Sequence, residues 1–166
     1  MAAYRKKMSG VFGVYCLGFG VLCNDGYLAD VYKIGYGNIK LRCGDLIRTS
    51  WVDAIEEIPR YVIQVDKRSS AVYLEKLLHE ICSSFRLRKI VFWNRVTGEI
   101  VTLPKGNEWF FFPKGLSGSL AIELVGCVMR SLAKQYNYRF IVSQPDYIYR
   151  GESVDWYEEG TVEPFV

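Results

Sequence analysis

Residues 11–17 (VFGVYCL) and residues 27–35 (YLADVYKIG) decide the fold of this chain. Both segments are rich in the β-branched and aromatic residues that favour strands. The turn-forming residues Asn24, Asp25 and Gly26 lie between them, and this combination is typical of a β-hairpin with a long loop. The chain is therefore expected to begin with two antiparallel strands.

Further strands and helices are predicted after the hairpin. Asn38 is a candidate cap for a short helix over residues 38–48, and alternation predicts a strand over 60–65. In residues 71–85 (AVYLEKLLHEICSSF), apolar residues recur at helical spacing, namely Leu74, Leu77, Leu78, Ile81 and Phe85. We also expect a second hairpin over 90–93 and 100–103, a strand over 108–112, a helix from Ser117 or Ser119 to about Tyr136 with Leu120, Leu124, Val128 and Leu132 on its apolar face, and a strand over 138–142. This mixture predicts an α+β fold, with a small mixed or antiparallel sheet flanked by helices and a C-terminal helix–strand extension.

The composition is that of one compact domain with an uneven charge. The 166 residues are 50% hydrophobic and 23% charged, which excludes a disordered scaffold for most of the chain. Six acidic residues and one arginine follow Gln144, so that segment carries −5 and residues 1–144 carry +8 of the net +3. We expect a domain over 1–144 and an acidic tail over 145–166, which either mimics nucleic acid or adds solubility. The basic body suits either a polyanionic partner or an ordinary soluble surface.

The cysteines and the N-terminal residues bear on the cellular compartment. Five widely spaced cysteines without a C-x-x-C pair indicate neither a disulfide framework nor a structural zinc site. Arg5, Lys6 and Lys7 before the apolar run 11–23 have the outline of a secretory signal, but that run contains three glycines and has no obvious cleavage site. No stretch reaches the roughly 18 apolar residues of a membrane span. We expect an intracellular protein of the cytoplasm, nucleoid or nucleus, neither secreted nor in a membrane.

A few polar residues lie where chemistry is conceivable. Glu75 and His79 are four residues apart on a predicted helix, so they project from the same face as either a solvated pair or part of a site. Arg42 belongs to a solvated helix face or to the same site. Tyr15 and Tyr32 are in apolar strands, where tyrosine is most often a core residue with its hydroxyl at the rim.

Read together, these residues resemble the motifs of the GIY-YIG nuclease superfamily. The sequences G-V-Y at 13–15 and Y-K-I-G at 32–35 are similar to its paired signature, and Arg42, Glu75 within L-E-K-L-L-H, and N-E-W-F at 107–110 follow in the family's order. The combination is most similar to the branch found in phage and large-virus proteins, and it covers about residues 11–112. The chain departs from the family in two places. Its signature tyrosines are 17 residues apart, which indicates an insertion in the hairpin loop around 18–30, and its hairpin over 88–106 is long.

The resemblance implies a metal-dependent endonuclease that hydrolyses phosphodiester bonds in DNA, with RNA as an alternative substrate. It implies that Tyr15 is the base or water positioner with Tyr32 as its partner, and that Arg42 is the phosphate clamp. It further implies that Glu75 is the ligand of Mg²⁺ or Mn²⁺, and that His79 orients a water or shuttles a proton. A different class of function, a non-catalytic nucleic-acid-binding or viral interaction or inhibitor protein on the same fold, remains the alternative.

Other residues are expected to contact the substrate. They are Lys33, Arg48, Lys105 and Asn107. The basic residues of the long hairpin and its approach, among them Arg86, Arg88, Lys89 and Arg95, either add phosphate contacts or are simply solvated. The sequence leaves open whether the protein works as a homodimer.

Overall fold

The computed structural model describes residues 8–22, 28–49, 54–93, 100–102, 108–112, 118–145, 147–149 and 160–164. The elements in chain order are β1 (Phe12–Leu22), β2 (Leu28–Asn38), α1 (Ile39–Thr49), β3 (Ala54–Glu56), β4 (Tyr61–Gln64), α2 (Arg68–Ile81), a 3₁₀ turn (Ser83–Phe85), β5 (Leu87–Trp93), β6 (Ile100–Thr102), β7 (Trp109–Phe111), α3 (Gly118–Gln135), β8 (Arg139–Val142), β9 (Tyr147–Tyr149) and β10 (Gly160–Pro164). The predicted α+β fold, with helices flanking a small antiparallel sheet, is confirmed.

Seven of the strands form one antiparallel sheet around β1. The order is β7–β2–β1, after which the N-terminal half of β1 pairs with β4 and the C-terminal half with β3. β8 then pairs with β4, and β9 with β3. The sheet is thus five rows wide, where a row is either one strand or two short strands that lie end to end. The two rows made of short strands are β4 with β3 and β8 with β9, and they are adjacent.

The opening hairpin is longer than the sequence predicted. β1 and β2 pair without a break from Phe12 opposite Asn38 to Leu22 opposite Leu28. The predicted loop insertion around 18–30 is therefore wrong over most of its length, because residues 18–22 and 28–30 extend the two strands. Residues 23–27 lie outside the described part of the chain.

A buried carboxylate stabilises the break between β3 and β4 through hydrogen bonds to β1 and to Arg60. Glu56 is fully buried, and its Oε2 accepts a hydrogen bond of 2.9 Å from the backbone N–H of Gly18. Arg60 donates from Nε and Nη2 to Glu56 Oε1 at 3.1 and 2.8 Å, and its backbone N–H donates to the carbonyl of Cys16. These contacts replace ladder hydrogen bonds that the extra residues interrupt, as is typical of a bulge.

Each face of the sheet carries its own hydrophobic core. Alternation places Tyr15, Leu17 and Val31 on one face, where they pack with Ile39 and Cys43 of α1. The other face carries a second set of residues covered by α2 and α3, which includes Val14, Cys16, Tyr32, Ile34, Ile63, Leu74, Leu78, Val125 and Met129. We call them the α1 face and the α2 face. The four described cysteines, Cys16, Cys43, Cys82 and Cys127, are free thiols.

The apolar faces of the two long helices differ in part from the prediction. Leu124 is 63% exposed and Ile81 is 47% exposed, although both were predicted to be buried. Among the described side chains of α3, the buried ones are Ile122, Val125, Met129, Leu132 and Ala133, and Val128 is partly buried against the same core. The predicted apolar face of α3 is therefore confirmed at Val128 and Leu132 and wrong at Leu124, because apolar residues of this helix occur on more than one side.

Two stretches of the predicted acidic tail are described, and both form strands. β9 joins the main sheet beside β3, and β10 pairs with β5 in a second, three-stranded sheet of order β10–β5–β6. These two strands therefore pair with strands on the domain side of the boundary predicted at 144/145, and residues 146, 150–159 and 165–166 of the predicted tail lie outside the described residues. The predicted second hairpin is confirmed, because β5 and β6 pair from Val91 opposite Thr102 to Trp93 opposite Ile100.

Candidate functional site

Two glycines of β2 let two functional side chains cross the strand. The ring of Tyr15 lies over Gly35, where an added Cβ would stand 2.8 Å from the tyrosine hydroxyl. The side chain of Arg42 lies over Gly37, where an added Cβ would stand 3.0 Å from both Cγ and Nε of the arginine. Gly37 also has φ +147°, a conformation that favours glycine. The glycines of this segment therefore bring a phenol and a guanidinium to the α1 face.

The histidine of helix α2 forms a hydrogen bond to the outer edge of β2. His79 is buried, and its Nε2 is 2.8 Å from the carbonyl oxygen of Ile34. Burial lowers the pKa of His79, so the ring is neutral near pH 7 and Nε2–H donates this bond. The backbone N–H of Ile34 donates to the carbonyl of Glu108 at 3.0 Å. The backbone of Ile34 therefore binds both the residue that precedes β7 and a side chain of α2.

Glu75 lies one turn before His79 on that side of α2. Its Oε1 is 3.8 Å from His79 Nε2, whereas its Oε2 is buried and has no hydrogen-bond partner within the described ranges. Burial and the nearby charge of Glu108 raise the pKa of Glu75 to about 7, against the lowering effect of Lys33 and Arg42. A carboxyl group is thus kept largely away from water beside a second carboxylate and two cations.

Lys33 and Glu108 complete this cluster of charges. The Lys33 ammonium is 3.1 Å from Glu108 Oε2 and 5.6 Å from the centre of the Trp109 ring. Lys33 is opposite Trp109 in the β2–β7 ladder. The pair therefore lies where β7 begins, and the edge of β2 beyond this point is contacted by α2. We call Lys33, Arg42, Glu75 and Glu108, together with Tyr15, the edge cluster.

Tyr15 belongs to the cluster as a neutral phenol. Its side chain is almost fully buried, and burial raises its pKa well above the ordinary value of 10.0, with further raising effects from Cys43, Glu108 and Glu75 and a lowering effect from Arg42. A phenol with such a pKa keeps its proton near neutrality. The protonated Tyr15 hydroxyl can therefore donate or accept a hydrogen bond there.

Tyr32 does not lie beside Tyr15. Tyr15 is opposite Gly35 and Tyr32 is opposite Gly18, so the two tyrosines project to opposite faces of the hairpin. Tyr32 packs on the α2 face, with its ring 5.5 Å from that of Phe112 and 5.9 Å from the Arg60 guanidinium carbon. The expected partnership of the two tyrosines at one site is wrong, because residues separated by an odd offset in this register cannot share a face.

Several predicted residues cannot be placed. Lys105, Asn107 and Arg95 lie outside the described residues, and Arg48 is described only as part of the α1 backbone. Arg88 and Lys89 are likewise described only as part of β5. Arg86 has an internal contact, since its Nη2 donates to the carbonyl of His79 at 3.1 Å and its guanidinium lies 5.8 Å from the Phe110 ring.

The sequence interpretation missed Glu108. It gave the last motif's role to Asn107, whereas the carboxylate one residue later faces Lys33 and influences Glu75. The available signal was a carboxylate next to Asn107 within the N-E-W-F motif. Its closeness to Glu75 depends on β7 pairing with β2, which no short-range pattern reveals.

The edge cluster contains oxygen donors of the kind that bind a divalent cation. In the described ranges no group of three or more His, Cys, Asp or Glu side chains is arranged to hold a metal. Glu75 nevertheless offers a buried oxygen without a partner, and Glu108 offers a second hard oxygen nearby. Mg²⁺ and Mn²⁺ accept one or two carboxylates and fill the remaining positions with water and substrate oxygens. The residues present fit such an ion.

Comparisons with protein families, with curated proteins and with solved structures found no match. Of the helices that the structure describes, none has the length and apolar character needed to cross a membrane.

Proposed function

We propose that the protein is a metal-dependent endonuclease that hydrolyses phosphodiester bonds in DNA. The observation that carries the proposal is the environment of Glu75, whose partly buried carboxyl group has a raised pKa and an unpartnered oxygen beside Glu108, Lys33 and Arg42. Desolvated carboxylates with raised pKa values cluster at functional sites. Together with the motif resemblance, this arrangement favours chemistry over a purely structural role.

In this proposal Glu75 and Glu108 hold Mg²⁺ or Mn²⁺. Such an ion, when bound, supplies Lewis-acid stabilisation of the negative charge that develops on the phosphodiester oxygens. The carboxylates themselves provide two negative charges for the ion to neutralise. Binding of the ion would also shift Glu75 to its ionised form, since a nearby positive charge lowers a carboxyl pKa.

Arg42 and Lys33 orient the phosphate. Arg42 is on the exposed side of α1 with its side chain across Gly37, so its planar fork can pair with two phosphate oxygens. Lys33 lies on the α1 face of β2, as Gly35 and Gly37 do, and adds a point charge at the edge. These two cations hold the substrate and stabilise charge in the transition state.

Tyr15 and His79 act through hydrogen bonds that position other groups, and both remain uncharged. The neutral Tyr15 hydroxyl orients the attacking water or the phosphate by a hydrogen bond. His79 uses Nε2 on the carbonyl of Ile34 and so fixes the distance between α2 and β2. The proton shuttle expected of His79 would have to use Nδ1.

The test is cleavage of supercoiled plasmid, a branched duplex and a single-stranded oligonucleotide with Mg²⁺ or Mn²⁺, each repeated with EDTA. We expect Glu75→Gln and Arg42→Ala to lower the cleavage rate by roughly 100-fold or more. The matched controls are Glu80→Gln, at an exposed carboxylate of the same helix, and Lys40→Ala, at an exposed cation of α1. Equal cutting by all five proteins would indicate a contaminant, and no cutting of any substrate by the wild type would contradict the proposal.

A second candidate is a nucleic-acid-binding module without turnover. It is favoured by two observations, namely that Tyr32 is on the opposite face from Tyr15 and that Tyr15 is almost fully buried. In this case Arg42→Ala would still weaken DNA binding, whereas Glu75→Gln would leave binding unchanged or improve it by removing a negative charge. Binding by fluorescence anisotropy, combined with the absence of cleavage, identifies this outcome.

A further inference from the structure

A strip of aromatic side chains lies on the other side of α2 from the edge cluster. It consists of Tyr73 on α2, Tyr136 after the end of α3, Tyr138, and Phe140 on β8. Adjacent ring centres are 6.0 Å apart for Tyr73 and Tyr136 and 6.5 Å apart for Tyr136 and Tyr138. We call these four residues the aromatic strip.

Two rings of the aromatic strip are exposed to solvent, but contacts with neighbouring side chains hold them in position. Tyr73 is 55% exposed and Tyr136 is 38% exposed. Their hydroxyls are 3.2 Å apart and share a hydrogen bond. Tyr138 and Phe140 are only partly buried and pack at the edge of the α2-face core. The rings are therefore held in place while part of their surface remains in contact with solvent.

Positive charges line the strip. Lys76 is one turn after Tyr73 on α2, and Lys134 is in the last turn of α3 just before Tyr136. The exposed Arg130 places its guanidinium carbon 5.5 Å from the centre of the Phe140 ring. Among the described acidic residues, Glu80 is four residues after Lys76 on α2, and Glu123 of α3 influences Tyr61, which stacks on Phe140.

We propose that the aromatic strip is a binding platform for single-stranded DNA. Exposed aromatic rings beside cations are the combination that binds single strands, because every base can stack on a ring while the phosphates pair with the charges. A duplex hides its base faces and cannot use such rings. The choice of DNA over RNA rests on the proposed nuclease function, whereas the preference for a single strand rests on the rings.

The strip and the edge cluster lie on different sides of one helix. Tyr73 contacts Tyr136, whereas Glu75 interacts with Glu108 and Lys33 at the edge of β2. Two helical positions correspond to about 200° around the axis. A single strand bound to the strip would cross the exposed side of α2 at Val72 and Lys76 to reach the edge cluster.

The experiment measures the binding of a fluorescein-labelled oligodeoxythymidine of about 15 nucleotides, a length suited to such platforms, by the full chain in EDTA. We expect Tyr73→Ala and Tyr136→Ala each to weaken binding by roughly 10-fold. The variants Tyr73→Phe and Tyr136→Phe should retain binding within about 3-fold, because they keep the ring and lose only the hydroxyl. Leu124→Ala, which removes an equally exposed apolar side chain from α3, is the matched control and should bind like the wild type.

Additional measurements distinguish single-stranded DNA from the other possible occupants of the aromatic strip. A duplex of the same length should bind more weakly and should be insensitive to the tyrosine variants, and tighter binding of oligouridine than of oligodeoxythymidine would overturn the choice of DNA. This binding is measured in EDTA and requires no cleavage, so a failed nuclease assay would leave a positive result standing. Equal binding by the wild type and both alanine variants would overturn the platform. So would a concentration-dependent dimer that either alanine variant abolishes, since a second copy would then occupy the strip.

Discussion

Tyr15 reaches the outer edge of β2 only because its opposite residue is Gly35. An added Cβ at Gly35 would stand 2.8 Å from the tyrosine hydroxyl and 3.0 Å from the ring carbon that bears it. The two residues face each other directly in the β1–β2 ladder. The second glycine-containing motif thus positions a side chain that belongs to the first, which gives a physical reason for the two motifs to occur together.

Replacing this glycine tests the relationship. Gly35→Ala forces the Tyr15 ring to move, so we expect a loss of roughly 1–3 kcal/mol in the free energy of unfolding and a lower cleavage rate. Gly44→Ala is the control, because nothing lies within 4 Å of its added Cβ and the position is inside α1. That control should raise stability by roughly 0.5–1 kcal/mol. Urea unfolding of both variants decides the matter, and equal stability of Gly35→Ala and the wild type would show that the ring is not constrained.

The two signature tyrosines should behave differently when their hydroxyls are removed. Tyr15→Phe is expected to lower the cleavage rate by roughly 10-fold or more, whereas Tyr32→Phe should leave it within about 2-fold, because only Tyr15 lies at the edge cluster. The measurement is the single-turnover rate across the neutral pH range. A phenolate base would be revealed by a rate that keeps rising with pH in the wild type and stops rising in Tyr15→Phe. We expect no such difference, since the pKa of Tyr15 is raised.

The carboxyl group of Glu75 should make the stability depend on pH. Its folded pKa of about 7 lies above the ordinary 4.5, so the folded protein keeps a proton that the unfolded chain releases. The free energy of unfolding should therefore fall as the pH rises from about 4.5 to about 7 and then level off, by roughly 1–2 kcal/mol for a partly buried group. Unfolding curves of the wild type and Glu75→Gln at several pH values isolate this contribution.

The same titration gives a readout for the metal. Mg²⁺ or Mn²⁺ competes with the proton on Glu75, so the ion should raise the melting temperature more at about pH 8 than at about pH 6. Glu75→Gln should lose most of this effect and Glu80→Gln should keep it. Stabilisation of equal size in all three proteins would place the ion elsewhere.

The Glu56–Arg60 pair should be a main determinant of stability. Arg60→Ala leaves a fully buried carboxylate without its guanidinium, and breaking a buried pair in this way costs about 3–5 kcal/mol. Arg68→Ala, at an exposed arginine with one 3.4 Å hydrogen bond to the Tyr36 hydroxyl, should change stability by less than about 0.5 kcal/mol. Chemical denaturation compares the two, and similar values would mean that Glu56 draws its support from the backbone N–H of Gly18 instead.

Local sequence patterns predicted the longer strands and helices, whose residues determine their own secondary structure. The hairpin strands and helix α2 were predicted because their residues combine strong propensity with a clear period. The three-residue strands Ala54–Glu56 and Tyr147–Tyr149 were not predicted, since they are too short to show alternation. Ala54–Glu56 exists because it pairs with β1, and Tyr147–Tyr149 because it pairs with Ala54–Glu56. Pairing of this kind is a tertiary effect that overrides weak local preference.

The candidate site was predictable in its residue types and only partly in its geometry. Arg42 and Glu75 do lie in one electrostatic cluster, as the motif order suggested. The face on which Tyr32 lies depends on the register of the hairpin, which the sequence between the strands does not specify. The contribution of Glu108 depends on β7 lying beside β2. Spacing along the chain carried neither piece of information.

The two interrupted rows of the sheet constrain how the chain can change in length. Four residues separate β3 from β4, four separate β8 from β9, and Ser143 donates a hydrogen bond to the carbonyl of Arg60 between them. Deleting one residue from either break would turn the following strand over and expose its buried side chains. Single insertions and deletions at these breaks should therefore be poorly tolerated. A change in one row should not rescue a change in the other, because β3 and β4 also pair with β1. A library of single and paired deletions would reveal this behaviour.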